Sequence, residues 1–244
     1  MPDTSKTIAL ISGANKGIGL EIARQLGQRG LTVLLGARDP ERGQNAAAKL
    51  AGDRLDVRFV ELDLGRRETI AAASAWIAAG FGKLDILVNN AGIADPADGL
   101  PGTADIEAVQ RIMQTNFLGA LAVAQGMLPL LRKSPAGRIV NVSSGLGSLT
   151  FNRDFASQFA DVKLIGYCAS KAAVNMLTVH LAYELRDTPI KVNSADPGYT
   201  TTDLNGHRGF QTVEQGAAEA IRLAFLPADG PTGSFSATAG PEPW

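Results

Sequence analysis

Cysteine is almost missing from this chain of 244 residues: Cys168 stands alone. One thiol cannot close an intrachain disulfide, nor can it build a cysteine-based metal site. Histidine is nearly as scarce, with only His180 and His207, so a metal centre has little to draw on. Neither sign of charge is in excess, with 23 Lys and Arg against 24 Asp and Glu. The resulting net charge of −1 offers no electrostatic basis for binding nucleic acid or an anionic membrane. The opening MPDTSKTIALISG has no long apolar run after its lysine. It reads as neither a signal peptide nor a membrane anchor, and we expect a cytoplasmic protein.

What is present is the composition of a folded enzyme. Hydrophobic residues make up 45% and charged residues 19% of the chain, far from the balance of a disordered segment. The length allows one large domain or two small ones, with a substantial core. Short apolar runs alternate with helical spacings. TIALIS, TVLLGA, DVRFVEL, LDILVNN, GRIVNVSS, IKVNSA and GSFSAT read as strands. Between them lie GIGLEIARQLGQRG, with Ile18, Ile22 and Leu26 on one face, and PERGQNAAAKLAG, with Pro40 in its first turn. RETIAAASAWIAAGFG is a further helix, and DIEAVQRIMQTNFLGALAVAQGMLPLLRK a long helical region. A helix from about Leu164 to Arg186 and TVEQGAAEAIRLAFL complete the set.

Strands that are apolar on both faces and alternate with helices predict an α/β fold: a doubly wound, Rossmann-like parallel sheet of about seven strands with helices on both faces. No linker or composition shift marks a second domain, so residues 1–244 are expected to form a single one. Its dinucleotide-binding part would be roughly 1–130 and its catalytic and substrate part roughly 131–244.

In such a sheet ligands bind beyond the carboxyl ends of the strands. The segments that follow successive strands here are GANKGIG, ARD, ELDL, NNAG, SSG and DPGYTTTD. Six small or polar segments along one sheet edge argue for one extended site. Gly13, Gly17 and Gly19 lie between a strand and a helix, where glycine allows a tight turn and lets main-chain N–H groups approach a pyrophosphate. Their spacing, Gly-x-x-x-Gly-x-Gly, departs from the commoner Gly-x-Gly-x-x-Gly fingerprint.

Taken together, GANKGIG, NNAG, NVSS, YCASK and DPG, in that order, make the chain resemble the short-chain dehydrogenase/reductase family over nearly its whole length. NKGIGL, ARDPERGQ, PGYTTTDL and the ending DGPTGSF…PW are similar to its carbonyl-reductase-like branch.

Tyr167 and Lys171 stand four residues apart, on one face of a helix. A free tyrosine titrates near pH ~10 and is a poor acid–base group at neutral pH. An ammonium about 5 Å away, at an effective dielectric of about 20, favours the phenolate by about 3 kcal/mol, or about two pKa units. We therefore expect Lys171 to draw Tyr167 towards working pH. The resemblance implies the roles. Tyr167 would donate a proton to a carbonyl, and Lys171 would lower its pKa and bind the nicotinamide ribose. Ser144 would hydrogen-bond the substrate carbonyl, with Ser143 as the competing choice. Asn116 in MQTNFLG would support a water relay to the lysine, a role compatible with distorting its helix.

For the cofactor, a carboxylate after the second strand favours NAD, whereas an arginine there can pair with a 2′-phosphate. Arg38 ends that strand and Lys16 adds a second positive charge, with Asp39 as the contrary sign. These residues point to NADP(H). By resemblance, the cofactor would also contact Gly13, Asn15, Gly17, Ile18, Gly19, Asp63, Leu64, Asn90, Ala91, Gly92, Tyr167, Lys171, Pro197, Gly198, Thr200 and Thr202. No metal is expected.

The implied activity is NADPH-dependent reduction of ketones or aldehydes, on a small-molecule carbonyl or alcohol partner. The alternatives are an NADP(H)-binding sensor with little catalysis, and a sugar-nucleotide epimerase. All of Ser144, Tyr167 and Lys171 are present, which disfavours the sensor. The epimerase would carry a different glycine spacing and a longer C-terminal region. Assembly with further copies of the chain stays open. The long segment LTFNRDFASQFADVKLIG before Tyr167 could wall the substrate site, cover an oligomerisation surface, or be a surface excursion. Asn205 to Gln211 leave only a short lid, which implies an open site with His207 and Phe210 at its rim.

Overall fold

Alternate residues of each short apolar strand feed opposite faces of one sheet. In the computed structural model, which describes residues 6–157 and 159–244, β1 (Ile8–Ile11) and β2 (Thr32–Ala37) are buried throughout. Ile8, Leu10 and Leu34 pack on one face, and Ala9, Ile11, Val33 and Leu35 on the other. Such two-sided burial is what a parallel sheet requires. The remaining strands are β3 (Val57–Glu61), β4 (Ile86–Asn89), β5 (Arg138–Val142), β6 (Lys191–Ala195), β7 (Ser234–Ala237) and β8 (Gly240–Pro241). The sheet order is β3-β2-β1-β4-β5-β6-β7-β8.

The pairs from β3 to β7 are all parallel, and β8 turns back antiparallel on β7. The seven expected strands are therefore present in a single doubly wound domain. The eighth has two residues, too short to leave a periodic signal. At the opposite edge β3 exposes Arg58 and Glu61, so it is not apolar on both faces. Charge there discourages pairing with another chain.

One face of the sheet is covered by α1 (Gly17–Gln28), α2 (Pro40–Gly52) and α8 (Val213–Ala224), through Ile22, Leu26, Leu50 and Ile221. The other is covered by α3 (Arg67–Phe81), α5 (Ala120–Leu131) and α7 (Ile165–Glu184), through Ile77, Met127, Leu177 and Leu181. The long helical region after β4 is not uniform. It runs as α4 (Ile106–Met113), a π-helical stretch over Gln114–Gly119, and then α5. A short helix, α6 (Leu149–Arg153), lies in the segment before Tyr167. Among the described residues no helix is long and apolar enough to cross a membrane.

The chain steps outward from β1 to β2 and β3, then returns to β4 on the other side of β1. That reversal opens a crevice beyond the carboxyl ends of β1 and β4. Ser12 locks it: its Oγ accepts from the N–H groups of Asn90 and Ala91, each at 3.1 Å.

Candidate active site

The crevice is a cleft of about 560 Å³. Its glycine-rich wall is close-packed. Gly13 has φ +64°, and a Cβ there would meet the Ala91 Cα at 2.9 Å. Gly17, at φ +56°, faces Thr202 with room to spare, the nearest atom lying 3.6 Å from where its Cβ would be. This is a main-chain cradle at a helix N-terminus, the shape and polarity that suit a pyrophosphate.

Sixteen of the expected residues line the cleft: Gly13, Asn15, Lys16, Gly17, Ile18, Gly19, Arg38, Asp63, Leu64, Asn90, Ala91, Gly92, Tyr167, Lys171, Pro197 and Thr202. Gly198 and Thr200 are not on its wall. Gly198 turns the chain at φ +67°, and Thr200 is buried with its Oγ1 donating to the Pro197 carbonyl at 3.0 Å. Sequence reasoning missed Ile93, Thr115, Val142 and Leu204, which also face the cleft. Their side chains carry no chemical signature.

Arg38 is exposed at the end of β2 and forms no salt bridge among the described residues. Asp39, the contrary sign for a 2′-phosphate, is occupied: its Oδ1 caps α2 by accepting from the Arg42 N–H at 3.1 Å. Lys16 differs from expectation. Its Nζ binds Asp203 Oδ2 at 2.6 Å, and Asp203 also meets His207 at 2.9 Å. The charge is on the cleft wall but is shared with the loop after β6, because that loop folds back across α1's N-terminus.

Ser144, Tyr167 and Lys171 come together at the ends of β5 and α7. Ser144 acts on the Tyr167 phenol, lowering its pKa, and its Oγ accepts from the Leu146 N–H at 3.2 Å. Ser143, the competing choice, lines the cleft, its Oγ donating to the main-chain oxygen of Lys171 at 3.4 Å, whereas Ser144 is not among the lining residues. Lys171 Nζ lies 5.6 Å from the Tyr167 ring centroid and donates to the Val142 carbonyl at 2.8 Å.

Asn116 lies buried in the π-helical stretch. Its carboxamide accepts from the Ile93 N–H at 2.8 Å, and donates to the Ile93 carbonyl and Ser170 Oγ, each at 3.0 Å. A Cβ on Gly92 would sit 3.5 Å from Asn116 Oδ1 and 3.6 Å from Lys171 Nζ, so the two side chains converge beneath that glycine.

The electrostatics correct one expectation. Burial pushes the Tyr167 phenol above its ordinary value, Asp196 adds to this, and the Ser144 hydrogen bond opposes it. Burial pushes Lys171 down to about 8, with Asp196 working in the other direction. The expected lowering of Tyr167 by Lys171 assumes a partly aqueous dielectric, whereas here desolvation is the largest influence on both groups.

Comparisons with known proteins place the chain in a family. The profile described as short chain dehydrogenase matches residues 7–211. The chain belongs to this short-chain dehydrogenase family. It is 35% identical to carbonyl reductase [NADPH] 1 of Mus musculus over 99% of both chains. It is also similar to two solved structures. NADPH-bound carbonyl reductase from chicken fatty liver superposes with a TM-score of 0.85 at 27% identity, covering 98% of this chain and 99% of the other. Salutaridine reductase from Papaver somniferum does so with 0.83 at 30% identity, covering 94% and 99%.

The segment before Tyr167 packs against the turn that follows Ser144. Phe151 and Phe159 pack with ring centroids 5.3 Å apart. Phe159 presses on the turn after Ser144, 2.5 Å from where a Gly145 Cβ would be. Of the three readings open for this segment, a wall beside the catalytic turn fits these contacts.

Proposed function

We propose that this protein reduces ketones or aldehydes to alcohols with NADPH, the dinucleotide lying along the cleft chiefly against residues 1–130 and the chemistry falling to residues 131–244. The observation that carries the reading is that Tyr167 and Lys171 line the same cleft as Arg38, which forms no salt bridge among the described residues. Arg38 follows β2 and Ser144 follows β5, and those strands are three neighbours apart, about 14 Å, a span that suits an extended dinucleotide.

NADPH supplies a hydride when bound. Arg38 would hold the 2′-phosphate and the Gly13–Gly19 turn the pyrophosphate. Ser144 orients the carbonyl oxygen, and Tyr167 gives it a proton as the alkoxide forms. A phenol held protonated by burial is in the form that reduction needs. Lys171, a buried ammonium at neutral pH, restores the proton and holds the ribose, and Asn116 keeps the main chain at Ile93 in place for that exchange.

Tyr167→Phe removes only the hydroxyl. The expected result is retained folding and NADPH binding, with reduction falling about 10²- to 10⁴-fold. The check is NADPH oxidation against a carbonyl panel, beside NADPH binding by fluorescence. Parental turnover in Tyr167→Phe would overturn the assignment of the proton donor. Binding without turnover in the parent, on every carbonyl tried, would favour a sensor.

A further inference from the structure

Two walls of the cleft meet outside the sheet. One is the Gly13–Gly19 turn after β1, and the other is the loop after β6, of which Thr202, Asp203 and Leu204 line the cleft. Lys16 and Asp203 join them as an ion pair, Nζ to Oδ2 at 2.6 Å. Beside that pair the walls come close: a Cβ on Gly17 would lie 3.6 Å from the Thr202 methyl. Among the described residues no other hydrogen bond links the turn to the loop. The pair is thus the fastening between the two walls.

The loop aims Asp203 at that partner. The Thr202 N–H donates to Asn205 Oδ1 at 3.3 Å, and Asn205 Nδ2 donates to the Thr200 carbonyl at 2.9 Å, which braces the 3-10 turn Asp203–Asn205 from within. Gly206 and His207 follow in the left-handed region, at φ +61° and +59°. Glycine adopts that region freely, whereas a histidine stays there only where its surroundings hold it. Here His207 is held twice. Its N–H donates to the Thr202 carbonyl at 2.9 Å, and its Nε2 lies 2.9 Å from Asp203 Oδ1. Both carboxylate oxygens are therefore engaged, one by the loop itself and the other by Lys16.

Two anions compete for Lys16: the Asp203 carboxylate, and a 2′-phosphate held beside Arg38. An ammonium in short, charge-assisted contact with a carboxylate is already committed to it. We propose that Asp203 is a positioning residue for the dinucleotide: with Lys16 it straps the loop after β6 over the pyrophosphate turn and slows release of the cofactor, leaving the discrimination between NADPH and NADH to Arg38. This rests on the reading above that the Gly13–Gly19 turn holds the pyrophosphate. The strap is built to open. The Lys16 and Asp203 side chains are 59% and 51% exposed, so water and salt weaken their attraction. An exposed pair of this kind shifts an equilibrium by about two- to five-fold. That is enough to retain a bound dinucleotide without trapping it.

The test is the rate at which NADPH and, separately, NADH leave the protein, followed by the fluorescence of the reduced nicotinamide during a chase with excess oxidised cofactor. Asp203→Asn keeps the shape of the side chain and removes its charge. Both cofactors should then leave about two- to five-fold faster, by a common factor. Adding Lys16→Ala to Asp203→Asn should leave the ratio of the two release rates at the parent's value, because the lysine does not serve the 2′-phosphate. Slower NADPH release from Asp203→Asn would overturn the proposal, since the freed lysine would then have turned to that phosphate. So would a double variant that loses NADPH faster than Asp203→Asn does while sparing NADH. Unaltered release of both cofactors from Asp203→Asn would show that the pair fastens nothing. Both side chains are exposed, so the variants should keep the parent's Tm, which confirms that release is read from a folded protein. No carbonyl enters this assay. A protein that bound NADPH and reduced nothing would fail as a reductase, and its release rates would still decide the strap.

Discussion

Single side chains in this protein owe their properties to burial more than to their neighbours in sequence. Tyr167 and Lys171 are one helical turn apart, yet desolvation moves both away from their charged forms, the phenol upward and the ammonium downward. Arg38 is the contrasting case, exposed and free to meet an anion. Its replacement by alanine should weaken NADPH about ten- to a hundred-fold while leaving NADH little changed, because only NADPH carries the 2′-phosphate. Parallel titrations with the two cofactors make the check, and equal losses would mean that Arg38 acts on the fold.

Elements place these residues by means that act across long sequence separations. The first turn of α7, which carries Tyr167, has no capping side chain at Leu164. Its orphan N–H groups are taken by Asp98 from the loop after β4: Gly166 donates to Oδ1 at 2.9 Å and Tyr167 to Oδ2 at 2.8 Å. An acidic cap also suits the positive end of a helix. Asp98→Ala should cost about 1–2 kcal/mol of stability, seen as a lower midpoint in urea, and should reduce turnover by letting the Tyr167 turn fray. A midpoint equal to the parent's would show that water replaces the cap without penalty. The π-helical stretch does similar work, widening one turn so that Asn116 faces inward onto Ile93.

At the scale of the whole molecule, the substrate side is shaped by what the loops fail to enclose. The segment after β6 makes one short 3-10 turn, Asp203–Asn205, tied down by Lys16, and reaches α8 through the Thr212 capping box. Tyr199 and Phe210 meet edge to face at 5.8 Å on that segment, and both are exposed. A rim of this kind offers apolar contact without enclosure, so little binding energy comes from remote parts of a substrate. We expect broad tolerance of ketones and aldehydes, aromatic ones included, with weak binding. The measurement is kcat/KM over carbonyl compounds of graded size, and a preference of several orders of magnitude for one compound over near analogues would contradict it.

By itself the sequence determined the alternation of strands and helices, the parallel sheet and the edge at which the site lies. Those properties rest on hydrophobic period and on glycine at turns, which are local. The Gly13–Gly19 turn, Arg38 after β2 and the Tyr167–Lys171 spacing were legible for the same reason. Only the tertiary structure decided the rest. It paired Lys16 with Asp203, kept Thr200 off the cleft wall and put Ser143 on it. It brought Asp98 to the start of α7, across 68 positions to Gly166. Contacts of that separation leave no period in the chain. The protonation states that follow from them depend on how completely water is excluded, which is a property of the packed molecule.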